Sequence, residues 1–257
     1  MMKILVTNDD GIHAPGLWAL AAELKKMGQV VVFAPNREQS GIGTAITLRQ
    51  PVRLVEVESS VPGIRAYGIE GTPADSVILA LETVEDVAMI FSGINKGVNM
   101  GDDVLVSGTV GAALQGYLHN LSSIALSVPA AEQMHFEVAA RLAGLLARKI
   151  AAGNSQSMLL NINLPNLPLD EIRGVEVTRI GRGGYSNAIK LGHDGKGSNY
   201  RIVLSQPRWD NDEEGTDIWA VQKDKISITP LQGELRTAQG IPLDEDLPSL
   251  LLRELSL

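Results

Sequence analysis

Three short polar runs carry residue types able to grip a hard cation. Asn8-Asp9-Asp10-Gly11 sets two carboxylates side by side after the apolar run Ile4-Leu5-Val6. Ala34-Pro35-Asn36-Arg37-Glu38-Gln39-Ser40-Gly41 offers a hydroxyl after a second apolar run, Val30-Val31-Val32-Phe33. Ser92-Gly93-Ile94-Asn95-Lys96-Gly97 offers a carboxamide after a third, Val87-Ala88-Met89-Ile90-Phe91. Oxygen donors of this kind suit Mg2+ or Mn2+, and no histidine or thiol joins them at a spacing that would favour structural zinc. A fourth run, Val106-Ser107-Gly108-Thr109-Val110-Gly111-Ala112-Ala113, opens a helical pattern. Ser107 or Thr109 can cap that helix, Gly108 lets the backbone approach closely, and the free N–H groups and dipole favour an anion such as phosphate. A divalent cation beside an anion cradle is the layout of metal-assisted phosphoryl hydrolysis. Taken singly, each run also reads as a turn or a helix cap. His13 follows the acid pair and is a candidate for contact with substrate or leaving group.

The elements that would bring these runs together follow from periodicity. The three apolar runs, with Ile124-Ala125-Leu126 and Met158-Leu159-Leu160, read as strands buried on both faces of a parallel sheet. Helical patterns fall between them, at Pro15 to Met27, from a cap at Thr72 to about Leu81, at Gly108 to His119 and at Glu132 to Ala151. This alternation predicts an α/β core with right-handed crossovers. In such a sheet ligands bind beyond the carboxyl ends of the strands, where all four polar runs fall. Residues 44–70 interrupt the alternation; Ala45-Ile46-Thr47-Leu48 and Val52 to Val57 read as a half-exposed hairpin inserted after the second strand. Gly181 to Gly197 reads as a long loop or mobile arm, Arg201 to Leu204 and Ile226 to Thr229 as strands, and Leu247 to Leu255 as a terminal helix.

The chain has 257 residues, 44% of them hydrophobic and 20% charged, which is globular composition with length enough for a real core. Its net charge is −8 and it lacks Lys/Arg runs, which argues against DNA binding. With no cysteine it excludes thiolate nucleophiles, disulfides and Cys-based zinc sites. Acids come too early for a signal peptide, and no apolar run reaches the roughly 20 residues of a membrane span, so a cytoplasmic protein is expected. A GxxxxGK[ST] loop, a GxGxxG fingerprint after the first strand and a GxSxG elbow are all missing from the sequence.

Val6 to Gly16, Ala34-Pro35 with Gln39-Ser40-Gly41, and Ser92-Gly93-Ile94-Asn95 with Gly97, Asn99 and Gly101 resemble the survival protein E (SurE) family. So do Val106 to Ala113, Asn161-Ile162-Asn163-Leu164-Pro165, Thr178-Arg179 through Tyr185, Thr216-Asp217 with Trp219-Ala220, and Ser227 to Leu231. The resemblance spans nearly the whole chain in order. It departs at Leu105-Val106, where an aromatic residue commonly precedes the Ser-Gly-Thr.

The resemblance implies a metal-dependent nucleotidase that hydrolyses nucleoside 5′- and 3′-monophosphates, with a possible side activity on short polyphosphate. It implies one Mg2+ or Mn2+ per subunit on the positions of Asp9, Asp10, Ser40 and Asn95. Asp9 and Asp10 then carry catalysis, with Asn8, Gly41, Asn99, Ser107, Gly108 and Thr109 as candidate phosphate and substrate contacts. It implies a Rossmann-like, mostly parallel sheet with helices on both faces over residues 1–165. A smaller β-rich oligomerisation portion follows over 166–257, exchanging an arm (about 181–197) and a terminal helix in a homodimer or homotetramer. Three other readings use the same residues: a phosphoaspartate enzyme, a zinc-dependent deacetylase, and a non-catalytic nucleotide-binding oligomer.

Overall fold

The computed structural model describes residues 2–153, 156–193, 198–208 and 213–231. The chain runs β1 (Lys3–Thr7), α1 (Pro15–Leu24), β2 (Gln29–Pro35), β3 (Leu54–Val57), β4 (Arg65–Ile69), α2 (Pro73–Thr83), β5 (Val87–Lys96) and α3 (Gly108–Leu118). It continues through β6 (Ser122–Val128), α4 (Phe136–Ala152), β7 (Leu159–Asn163), β8 (Gly174–Val177), β9 (Gly184–His193), β10 (Ser198–Arg208), α5 (Asp217–Gln222) and β11 (Lys225–Leu231).

Nine strands form one sheet in the order β3-β4-β2-β1-β5-β6-β7-β11-β8. From β4 to β7 all neighbours pair in parallel. Apolar side chains on both faces of these strands explain why the sheet needs helices on both sides. Val6, Val32, Phe91 and Leu126 pack under α1 and α4 with Leu17, Leu20, Ala139 and Ala143. On the other face Leu5, Phe33 and Ile90 pack with Val77 and Ala80 of α2 and Ala112 of α3. The α/β reading and the positions of the five expected core strands agree with this architecture.

Three expectations are corrected. Ala45–Leu48 is not a strand: the amide and hydroxyl of Thr47 donate to the Asp75 carboxylate at 2.9 and 2.7 Å, and Thr72 Oγ1 donates to the Ala45 carbonyl at 2.7 Å. The segment therefore closes over the capping box of α2, in which Thr72 and Asp75 bond each other's main chain. The hairpin is formed instead by β3 and β4, and β4 pairs in parallel with β2, so the inserted piece extends the main sheet. Finally, much of the stretch read as a loop at 181–197 is strand: β9 pairs antiparallel with β10 as a separate two-stranded sheet. The expected terminal helix at 247–255 lies outside the described residues. Beyond residue 165, β11 pairs antiparallel with β7 and parallel with β8, so the sheet runs on into the C-terminal portion.

Candidate functional site

The chain leaves β1 through α1 toward β2 on one side, and leaves β5 through α3 toward β6 on the other. The gap between the carboxyl ends of β1 and β5 is therefore the switch point of the sheet, where a crevice opens. Asp9 and Asp10 follow β1, Asn95 ends β5, Ser40 lies in the loop after β2, and Ser107–Thr109 begin α3.

A tight turn presents the acid pair. Asn8 Nδ2 donates to the Gly11 carbonyl at 3.0 Å and its Oδ1 accepts from Gly11 N–H at 3.2 Å. Gly11 has φ +98°, in the region that favours glycine, and Ile12 N–H ties the turn to Pro35 O at 2.8 Å. Asn8 is fully buried and spends both ends of its carboxamide on this turn, which holds the main chain that carries the acid pair.

Asp9 is only 4% exposed, and its carboxylate accepts the Thr109 hydroxyl of α3. A Cβ at Gly108 would lie 2.8 Å from Asp9 Cβ, so only glycine lets the helix start rest on this side chain. Burial pushes the Asp9 carboxyl from 3.8 up to about 6; Thr109 opposes that rise and the Asp10 charge adds to it. Asp10 is also raised, first by desolvation, with the Lys96 amide opposing and Glu38 adding. Its Oδ2 accepts Lys96 N–H at 3.0 Å.

Asn95 Nδ2 donates to Gly97 O at 2.8 Å, which engages the nitrogen end of the carboxamide. The shift in register between Ser92 and Asn95 re-aims this strand end. Ser40 is exposed and donates to Glu38 Oε1 at 2.8 Å; Gly41 beside it is exposed too. Ser107 is the N-cap of α3, its hydroxyl accepting Val110 N–H at 3.1 Å.

Asp9 thus meets Gly108 and Thr109 of α3, Asp10 meets the main chain beside Asn95, and Ser40 is exposed in the loop after β2. Asn99 is buried, and its Nδ2 donates to Ser127 Oγ at 2.8 Å. His13 is exposed. Glu38 and Lys96 were not singled out from sequence, yet both act on Asp10. The signal available was adjacency, since each carries a charge next to a chosen ligand. Among the described residues no group of three or more His, Cys, Asp or Glu side chains is placed to hold a metal. A cation here would therefore rest on two carboxylates and neutral oxygens. The donor chemistry fits a hard divalent ion, because a buried carboxylate, Asp9, lies next to a half-buried one, Asp10, and oxygen-bearing side chains follow on neighbouring strand ends.

Residues 4–187 match the family model described as survival protein SurE. A 5′-nucleotidase SurE from Dehalococcoides mccartyi (strain CBDB1) is 46% identical over 239 residues, covering 91% of this chain and 90% of the relative. One from Moorella thermoacetica is 43% identical over 240 residues, covering 91% of each chain. The crystal structure of the Sure protein from Aquifex aeolicus superimposes with a TM-score of 0.76 at 35% identity, covering 98% of this chain and 99% of the other. With its fold, its strand-end oxygen donors and these relatives in agreement, this chain belongs to the survival protein SurE family.

Proposed function

We propose that this chain is a metal-dependent 5′-nucleotidase that releases phosphate from nucleoside monophosphates. One observation carries the reading: a buried carboxylate, Asp9, sits under the N-terminus of α3 beside a second carboxylate at the switch point of the sheet. The names of the relatives support it. Asp9 and Asp10 would anchor one Mg2+ or Mn2+, with the oxygens of Asn95 and Ser40 completing the protein's share. When bound, the cation supplies Lewis acidity toward a phosphoryl oxygen and makes water a better nucleophile near neutral pH.

The chain's own groups do the rest. The start of α3 at Ser107–Thr109 offers main-chain N–H groups and a positive dipole end to the other phosphoryl oxygens. Gly41 leaves the rim open for the nucleoside. A carboxylate oxygen of Asp9 or Asp10 would accept a proton from the attacking water as its oxygen bonds to phosphorus, and the proton would pass to the ribose oxygen as its bond to phosphorus breaks. The same centre serves 3′-monophosphates and short polyphosphate through the shared phosphoryl group.

The β9–β10 ribbon, with residues 166–257 as a whole, serves homo-oligomerisation as a dimer or tetramer. In support, among the described residues the ribbon pairs with no strand of the main sheet, and Ile189, Leu191, Tyr200 and Ile202 along it are exposed. No helix among the described residues is long and apolar enough to cross a membrane. The proposed place of action is the cytoplasm.

The test is a panel of nucleoside monophosphates and p-nitrophenyl phosphate assayed with Mg2+, Mn2+ and EDTA. Metal-dependent, chelator-sensitive phosphate release is expected; release unaffected by EDTA, or none with any metal, contradicts the reading.

A further inference from the structure

The chain between Asn95 and Ser107 joins the two halves of the centre, the metal-facing strand end and the phosphate-facing helix. It is held by side chains from far along the sequence. Asn99 N–H donates to Asn163 Oδ1 at 2.8 Å, and Nδ2 of the same Asn163 donates back to Asn99 O at 2.9 Å. One carboxamide therefore satisfies both main-chain groups of one residue, as two paired strands satisfy each other. Asn161, on the same face of β7, adds a second donor to Asn99 O at 2.8 Å. The Asn99 side chain is spent on Ser127, so it too is fixed. Asn161, Asn163 and Ser127 are fully buried, and water does not replace these bonds if one is removed.

The clamp sits level with the metal-facing residue. Asn95 is the register partner of Ser127, and Ser127 that of Asn163, so one row crosses β5, β6 and β7. The ladder between β5 and β6 loses register just before Asn95. The strand alone therefore does not set where Asn95 and the following residues lie. Further along, Gly101 N–H is held by Asp217 Oδ2 at 3.0 Å, outside this row.

We infer that Asn163 is a positioning residue for the centre: by clamping the Asn99 peptide it fixes the course of Gly97–Gly101, and through it the Asn95 oxygen and the entry to α3. This rests on the metal-dependent reading above. Asn163 acts through Asn99 and touches neither ion nor substrate.

The experiment compares Asn163→Ala, Asn161→Ala and, as a purely structural control remote from the crevice, Leu24→Ala in the full chain. Four quantities are read: Mn2+ binding by electron paramagnetic resonance of the free ion, kcat and KM for a nucleoside monophosphate, hydrogen exchange of the Asn99 amide, and the thermal midpoint. Asn163→Ala is expected to weaken Mn2+ binding and lower kcat at saturating Mn2+ by about tenfold or more each, with faster exchange at Asn99. Asn161→Ala, which leaves the two-way clamp in place, is expected to show the same changes at a few-fold. Leu24→Ala is expected to lower the thermal midpoint and leave Mn2+ affinity and kcat per folded molecule unchanged. The inference is overturned if Asn163→Ala binds Mn2+ and turns over like the parent, or if Leu24→Ala shows equal losses. If Asn163→Ala fails to fold, Asn161→Ala and Asn163→Asp, which keeps the acceptor and loses the donor, decide by the same measures. Failure of the parent protein to bind Mn2+ and release phosphate takes down the nucleotidase reading and this inference together; a competent parent with an indifferent Asn163 variant takes down this inference alone.

Discussion

The crevice between β1 and β5 and the β9–β10 ribbon depart from ordinary burial in opposite directions. In the crevice polar groups are hidden, Asp9 at 4% exposure and Thr109 at 0%. On the ribbon apolar groups are bare, Ile189 at 69% and Ile202 at 72%. A buried carboxylate with a raised pKa and an exposed aliphatic row are both costly in water. In each region the cost is of the kind that the proposed function would offset, by positive charge in the crevice and by a second apolar surface on the ribbon.

The sharpest break in that contrast is Asp9→Asn. It removes the buried charge while keeping the shape, so nucleotidase activity is expected to fall by roughly a thousandfold or more, measured as phosphate release with Mn2+. The thermal midpoint of the metal-free protein is expected to hold or rise, because a desolvated charge has gone. Near-native turnover would remove Asp9 from the centre. On the ribbon, Ile189→Glu with Ile202→Glu is expected to reduce the mass by light scattering to that of one chain; an unchanged mass would show that the exposed row holds nothing together.

Acid should act on the crevice and not on the ribbon. The folded pKa of Asp9, raised mainly by burial to about 6, lies above its ordinary 3.8. This group therefore favours the metal-free fold at low pH, and that contribution is lost as pH rises through about 6. Its cost approaches about 3 kcal/mol above that pH, with about 1 kcal/mol of the change falling between pH 5 and 7.5. Because the cation must displace the proton, Mn2+ affinity is expected to fall about tenfold per pH unit below about 6 and to flatten above it. Calorimetric titration across pH 4.5 to 8 checks both. The smallest effects are expected at the two neutral side chains. Asn95→Ala should weaken Mn2+ binding by about tenfold and Ser40→Ala by only a few-fold, because both are neutral ligands and Ser40 is exposed.

Much of this was legible in the sequence, for a physical reason. Strands covered on both faces must be apolar throughout, so Ile4–Val6, Val30–Phe33 and Val87–Phe91 announced themselves, and the polar residues at their ends then stood out. Arg65-Ala66-Tyr67-Gly68-Ile69 did not read as a strand, because it opens on an exposed Arg and carries a glycine. Ala45–Leu48 looked like one, yet its partners are the capping residues of α2. In the site, donor types and strand ends were readable; bonding partners were not. The Thr109 hydroxyl bonds Asp9, 100 residues away in sequence, which spacing does not show. The Asn99 main chain is claimed by Asn163, 64 residues on. Such pairings depend on how strands stack, which spacing alone does not encode.

In the proposed function, oxygens from separate strand tips share one divalent cation at the switch point. A crystal grown with Mn2+ and measured at the manganese absorption edge tests it most directly. A single anomalous peak about 2.2 Å from carboxylate oxygens of Asp9 and Asp10, with the Asn95 oxygen turned toward it, is expected. A crevice without a peak at saturating Mn2+, or a peak bound by other side chains, would contradict it.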